Sequence, residues 1–201
     1  MHLIPTQEEV VAVLRETGAL RDGHFEYPTG LHSNEYLKVP LAVRYSKHQK
    51  MMSVGLSRLL RAHPEIRAIA KDLSMVSPTT GGLALAFGLC DALRARQVYW
   101  AERENHEPLR FRQFLRPEPG EPVVLVDDIL RTGQHLAELK ALLESYSAKV
   151  VGLAVAIYQP NPTTVSFGNL PLYYLVKLDA SYYVDGEHCE WCQRGVPLEK
   201  V

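Results

Sequence analysis

Two adjacent carboxylates, Asp127 and Asp128, end the apolar run at residues 123–126, and Thr132 and Gly133 follow just before a helical pattern spanning residues 133–146. In an open sheet covered by helices, ligands gather outside the carboxyl ends of the strands, which is where this stretch falls. The first N–H groups of a helix have no intrahelical partner and the helix dipole favours an anion there, so residues 131–136 can cradle a phosphate. Thr132 adds a hydroxyl, and Gly133 lets the chain approach closely. A phosphate repels neighbouring carboxylates, so Asp127 and Asp128 require a different partner: vicinal sugar hydroxyls, which donate to them, or Mg²⁺. Together these groups describe a sugar phosphate site, whereas an acidic pair alone could simply cap a turn.

The elements that must position these residues are legible from periodicity. Near-continuous apolar segments at residues 73–77, 97–103, 123–126 and 148–158 alternate with helical patterns, as expected of an α/β fold with a central, mainly parallel, twisted sheet buried on both faces by helices. Thr6 and Glu9 read as a capping box opening an N-terminal helix that stops near Gly18. Residues 23–41 have extended character broken by Pro28, Gly30 and Pro40, predicting a small hood of irregular strands, and Ser46 opens a packing helix. Residues 103–122, rich in charge and proline, read as a long loop or weak hairpin of the kind that often carries function. One domain is expected, with residues 1–45 as helix plus hood, 46–178 as core and 179–201 as tail.

Composition narrows the function. The 22 Lys+Arg balance 23 Asp+Glu for a net charge of -1, without the basic excess that holds a protein on nucleic acid. There is neither an N-terminal signal pattern nor an apolar run long enough to span a bilayer. With only 3 cysteines, unevenly placed, a disulfide framework is not expected, and a cytoplasmic protein is.

The stretch "VVLVDDILRTGQHL" resembles the phosphoribosyl pyrophosphate loop of the type I phosphoribosyltransferases, and further segments are similar to the orotate phosphoribosyltransferase branch. These are "GHFEYPTGLHSNEY" in the hood, "SPTTGGLALAF" at the position of a pyrophosphate loop, "AERENHEPLRFRQFLRPEPGEP" at the position of a mobile loop, and "CEWCQRGVPL" at the tail. The resemblance implies the type I fold and displacement of pyrophosphate from C1 of the ribose by a base nitrogen, with Mg²⁺ accompanying the pyrophosphate. It assigns Asp127 and Asp128 to the ribose hydroxyls, and Arg131, Thr132, Gly133, Gln134 and His135 to the 5'-phosphate. Thr79, Thr80, Gly81 and Gly82 would meet the pyrophosphate, and Arg103 would cover it. The mobile loop of such enzymes reaches a neighbouring subunit, so a homodimer is implied. Orotate is the family's default base, the alternative being a catalytically impaired protein that binds phosphoribosyl pyrophosphate or a nucleotide as a regulator. The sequence departs from the family pattern at several points: His135 stands in place of a hydroxyl, Gln134 in place of a common glycine, Tyr158-Gln159 in place of an Asp-Arg pair whose arginine meets the carboxylate of the base, and the mobile loop carries no lysine.

In the hood, His32, Ser33 and Tyr36 could contact a base or merely pack the hairpin; His24 and His106 lie in segments that could face a ligand, and Gln159 sits where the base is expected. Cys189 and Cys192 have metal-ligand spacing, but a structural zinc needs four ligands. Tail packing or a free thiol pair is one reading; zinc completed by His188 or a second subunit is the other.

Overall fold

The computed structural model describes residues 4–201 except His106 and Phe114. In chain order the elements are α1 (Gln7–Glu16), β1 (Leu20–Glu26), β2 (His32–Leu37), α2 (Pro40–Val43), α3 (Ser46–Ala62), α4 (Pro64–Ala68), β3 (Ser74–Pro78), α5 (Leu83–Leu93), β4 (Gln97–Glu102), β5 (Arg110–Phe111), β6 (Pro122–Leu130), α6 (Gln134–Ser145), β7 (Lys149–Tyr158), β8 (Leu172–Lys177), β9 (Tyr182–Tyr183), α7 (Glu190–Gln193) and β10 (Glu199–Lys200). Six strands form the main sheet in the order β5-β4-β3-β6-β7-β8, parallel except for the short β5. The α/β expectation therefore holds, and residues 103–122 prove to be the weak hairpin alternative.

Alternation along β6 explains why its sequence is apolar without a break. Val124 and Val126 pack into the core that contains Val10, Leu14, Met52, Leu56, Leu85 and Leu89 from α1, α3 and α5, while Val123 and Leu125 pack beneath Leu136, Leu139 and Leu143 of α6. Both faces are thus covered. Helix α1 starts at the expected capping box, with Thr6 and Glu9 exchanging backbone hydrogen bonds of 3.2 and 2.8 Å.

The second sheet, β10-β1-β2-β9, joins the hood to the tail: β9 adds antiparallel to β2, and β10 adds parallel to β1. Residues far apart in the chain therefore build one layer.

At the end of the main sheet opposite the acidic pair, Glu121 is buried at 5 % exposure. Burial pushes its carboxyl up, but donation from the Ser74 and Tyr99 hydroxyls, the Glu118 N–H and Gln97 Nε2 outweighs this and holds it below its ordinary value. Burial and the nearby Glu121 push the Tyr99 phenol up to about 12. Replacing Glu121→Ala strands these donors and should cost about 2–4 kcal/mol in urea unfolding at neutral pH. Because the folded value is depressed, the contribution is present above the unfolded value of about 4.3 and lost as pH falls through the folded one. The gap between the native protein and the variant should therefore close in acid.

Candidate active site

The acidic pair sits where the sheet changes winding. From β3 the chain crosses through α5 to β4 on one side, and from β6 it crosses through α6 to β7 on the other. Adjacent parallel strands whose connections diverge in this way open a crevice beyond their carboxyl ends. Strand β6 runs further than expected: it continues to Leu130, with Asp127 opposite Val155 and Leu130 opposite Tyr158, whereas its pairing with β3 stops at Leu125. Pairing with β7 overrides the low strand propensity of aspartate, so the carboxylates lie within the strand, beside the gap that β3 leaves on turning away.

The turn at residues 79–82 closes on that gap. A Cβ on Gly82 would lie 2.5 Å from Ser77 Oγ and 2.7 Å from Asp127 Cα, and one on Gly81 would lie 2.9 Å from both carboxylate oxygens of Asp128. No side chain fits at either position, so the turn's backbone comes directly against the acids. Asp127 Oδ1 accepts from the Asp128 N–H at 2.9 Å, and Asp128 Oδ1 from the Ile129 N–H at 2.9 Å. Burial, reinforced by the Asp128 carboxylate, holds Asp127 well above the usual carboxylate range, and burial raises Asp128 as well. Such a pair favours a proton, a cation or a set of hydroxyl donors between its members and the outside.

Beyond β6, Gly133 adopts φ +75 and caps α6, the left-handed turn that swings the helix N-terminus toward the acids. Ala137 N bonds Gly133 O at 2.8 Å, leaving the N–H groups of Gln134, His135 and Leu136 without helical acceptors. The loop is braced from behind: Thr164 Oγ1 donates to Arg131 O at 2.5 Å, and Val165 N to Thr132 O at 2.8 Å. Thr79, Gly81, Asp127, Asp128 and residues 131–136 all line one cleft of about 510 Å³, whose far wall is formed by Tyr27, Leu31 and Tyr182. Thr80 and Gly82 belong to the same turn without lining the cleft.

The resemblance assigns Arg131 to the phosphate, and its guanidinium is turned toward Gln159 and the hood. Its Nε and Nη2 both donate to Gln159 Oε1, at 3.1 and 2.9 Å, and its guanidinium carbon lies 4.9 Å from the Tyr27 ring centre and 5.9 Å from that of Tyr182. Gln159 Nε2 in turn donates to Glu35 Oε2 at 3.2 Å. Among the described residues Arg131 forms no ion pair with a carboxylate. The side chain therefore reaches toward the hood, against two aromatic faces, and Gln159 acts as its holder.

Other expected site residues lie elsewhere. His32 is buried against His24 and Cys192, Ser33 Oγ turns back to the Glu35 N–H at 3.2 Å, and Tyr36 packs against Phe25 and Tyr27 beneath Arg21. None of the three lines the cleft. The hood expectation is corrected to Tyr27, Leu31 and Tyr182, of which Tyr27 and Leu31 stood in the quoted hood segment and Tyr182 in the tyrosine-rich tail. Arg103 pairs with Glu138 on α6 and donates to Glu107 O at 2.7 Å, away from the cleft wall, while Arg110 and Arg112 pair with glutamates of their own hairpin. His188 is exposed and bonded to Asp185 at 2.7 Å, and so does not complete a metal site with the cysteines. The side chains that do lie beside the two cysteines are His24 and His32. His106 lies outside the described residues.

Residues 65–166 match the phosphoribosyl transferase domain family. The orotate phosphoribosyltransferase of Thermotoga maritima is 33% identical over 188 residues, 94% of each chain. The chain belongs to the phosphoribosyltransferase family. Another relative, the orotate phosphoribosyltransferase of Thermus thermophilus, is 28% identical over 96% of this chain and 100% of its own. Among solved structures, orotate phosphoribosyltransferase from Aeropyrum pernix superposes with a TM-score of 0.68 over 84% of this chain and 93% of that one, at 20% identity, a likeness of fold. An adenine phosphoribosyltransferase from Thermoanaerobacter pseudethanolicus shares the fold at a TM-score of 0.59, covering 72% of this chain and 88% of its own at 16% identity. Family membership makes the chain a pentosyl-transferring enzyme.

Proposed function

We propose that this phosphoribosyltransferase moves the ribose 5-phosphate of phosphoribosyl pyrophosphate onto orotate, giving orotidine monophosphate and pyrophosphate, a step of pyrimidine nucleotide synthesis. The observation that carries the choice of base is Arg131, a guanidinium in the cleft wall that forms no ion pair with a carboxylate among the described residues. A planar cation held on edge by Gln159, between Tyr27 and Tyr182, suits a flat ring that bears a carboxylate. The arginine missing at position 159 is thus offset by one at position 131, reaching the same place from the neighbouring strand's loop. The full-length relatives named for orotate transfer support the same reading and favour it over a catalytically impaired regulator.

In the reaction the C1–oxygen bond to pyrophosphate breaks as a ring nitrogen of the base bonds to C1, through a ribose with oxocarbenium character. Asp127 and Asp128 accept from the ribose hydroxyls and stabilise the developing positive charge. The N–H groups of residues 134–136 hold the 5'-phosphate, with Thr132 beside them, and His135 supplies a donor where relatives use a hydroxyl. The buried, mutually repelling acids facing the glycine turn also fit Mg²⁺, which when bound with the substrate neutralises the leaving pyrophosphate. The proposal extends to a homodimer in which the hairpin bearing Arg103 closes the partner's cleft, since Glu138 holds Arg103 outside its own, and to a cytoplasmic setting that keeps the three thiols reduced.

A pyrophosphate-release assay over orotate, uracil and adenine, with phosphoribosyl pyrophosphate and Mg²⁺, tests this. Orotate should be preferred to uracil by about 100-fold or more in kcat/KM, the discrimination expected when a site built to pair a charged group meets a base that lacks it. Calorimetric binding of phosphoribosyl pyrophosphate with no release for any base would restore the regulatory reading. Release with adenine alone would move the base assignment.

A further inference from the structure

Away from the cleft, four side chains from three elements converge beneath the tail. The bulge in β1 between Asp22 and Phe25 breaks strand alternation, so that His24 and Phe25 are both buried and His24 turns toward the C-terminus. His32 comes from β2, Cys189 precedes the first residue of α7, and Cys192 lies within it. His24 Nε2 stands 3.1 Å from His32 Nδ1, 3.3 Å from Cys189 Sγ and 3.6 Å from Cys192 Sγ, and Cys192 Sγ is 3.4 Å from His32 Nδ1. All four ligand atoms lie within 4.8 Å of one another, and His24, His32 and Cys189 are at most 6 % exposed.

We propose that His24, His32, Cys189 and Cys192 form a structural zinc site that clamps the C-terminal tail to the hood. A tetrahedral zinc with bonds of about 2.3 Å to sulfur and 2.0–2.1 Å to nitrogen spaces its ligand atoms roughly 3.3–3.8 Å apart, close to the 3.1–3.6 Å separations that link His24 to the other three and Cys192 to His32. The donor set of two thiols and two imidazoles selects zinc over magnesium or calcium, which take oxygen ligands. The tautomer is arranged for it: His24 Nδ1 lies 2.9 Å from Val196 O and donates to that carbonyl, leaving the Nε2 lone pair facing the sulfurs. The tail is folded for it as well, since Gly195 at φ +66 turns the chain after Cys192 so that Val196 N reaches Trp191 O at 2.9 Å and its carbonyl comes back to His24. Hydrogen bonding alone accounts poorly for the cluster, because thiols donate weakly and the two facing imidazole nitrogens can share only one proton.

The site lies beside the substrate wall. In the hood sheet His32 pairs with Tyr183, and Ser33 with Tyr182, whose ring forms part of the cleft next to Arg131. Zinc would thus fix an aromatic wall of the cleft without touching substrate, a metal separate in place and role from the Mg²⁺ of the reaction.

The test is metal content of the full chain, purified under reducing conditions without a histidine tag or chelator, together with titration of the apoprotein by Co²⁺ alone. One zinc per chain is expected, and Co²⁺ should give the intense visible bands and near-ultraviolet thiolate absorption of a tetrahedral sulfur-ligated ion. Both should be lost in Cys192→Ser and kept in His188→Ala. Unsubstituted protein that retains no zinc and develops no such cobalt spectrum would overturn the site, as would Cys192→Ser binding the metal unchanged or the two cysteines proving to be a disulfide in freshly purified protein. The cobalt spectrum of the unsubstituted chain keeps the test decisive even if the variant folds poorly.

Discussion

Asp127→Asn combined with Asp128→Asn should reduce kcat/KM by about 10²–10⁴, because each lost hydrogen bond from a ribose hydroxyl to a charged acceptor costs about 1.5–3 kcal/mol. The same variant should melt no lower than the native protein when both are free of substrate at neutral pH. Burial raises both carboxyls, Asp127 most of all, so their folded values lie above the unfolded one. A group raised in this way contributes stability below its unfolded value, about 3.9 for aspartate, and that contribution is lost as pH rises through the folded value. The melting advantage of the variant should therefore be small in acid and grow with pH. Phosphoribosyl pyrophosphate with Mg²⁺ should reverse the order by stabilising the native chain more. A variant that is inactive and also strongly destabilised at neutral pH would mean that the acids serve the fold and not the ligand.

Arg131→Ala should lower kcat/KM for orotate by about 100-fold or more, the range for truncating one partner of a desolvated ion pair, while leaving the low activity with uracil nearly unchanged. Binding of phosphoribosyl pyrophosphate, measured by calorimetry, should stay close to native. That split separates the two roles open to a guanidinium at the start of a phosphate loop. A phosphate contact would weaken the sugar phosphate equally for every base; a carboxylate contact penalises orotate alone. The exchange Arg131→Gln with Gln159→Arg should recover part of the orotate preference, since the two side chains already touch across the cleft wall.

What the sequence disclosed and what it withheld divide along distance in the chain. The acids, Thr132, Gly133 and α6 were legible because strand, turn and helix N-terminus are built from neighbours, with Gly133 at the left-handed position the turn requires. The capping box at Thr6 is local in the same sense. The length of β6 was underestimated because pairing with β7, and not aspartate's own preference, carries the strand to Leu130. Nothing local reveals that the Arg131 side chain turns to Gln159, 28 residues on. The cysteine and histidine cluster is half visible in the sequence as Cys189 and Cys192, with His188 the adjacent candidate. The histidines that close it lie about 160 residues away and arrive only because the tail adds strands to the hood. Tyr182 enters the cleft by the same route, so the base-binding wall was the least legible part of the site.

The most direct measurement of the central claim is a crystal structure of the enzyme with orotidine monophosphate. The 5'-phosphate should lie on the N–H groups of residues 134–136, the ribose hydroxyls on Asp127 and Asp128, and the base carboxylate in a forked contact of about 2.7–2.9 Å with the Arg131 guanidinium. A carboxylate held by other groups, with Arg131 still resting on Gln159 or turned to the phosphate, would contradict it.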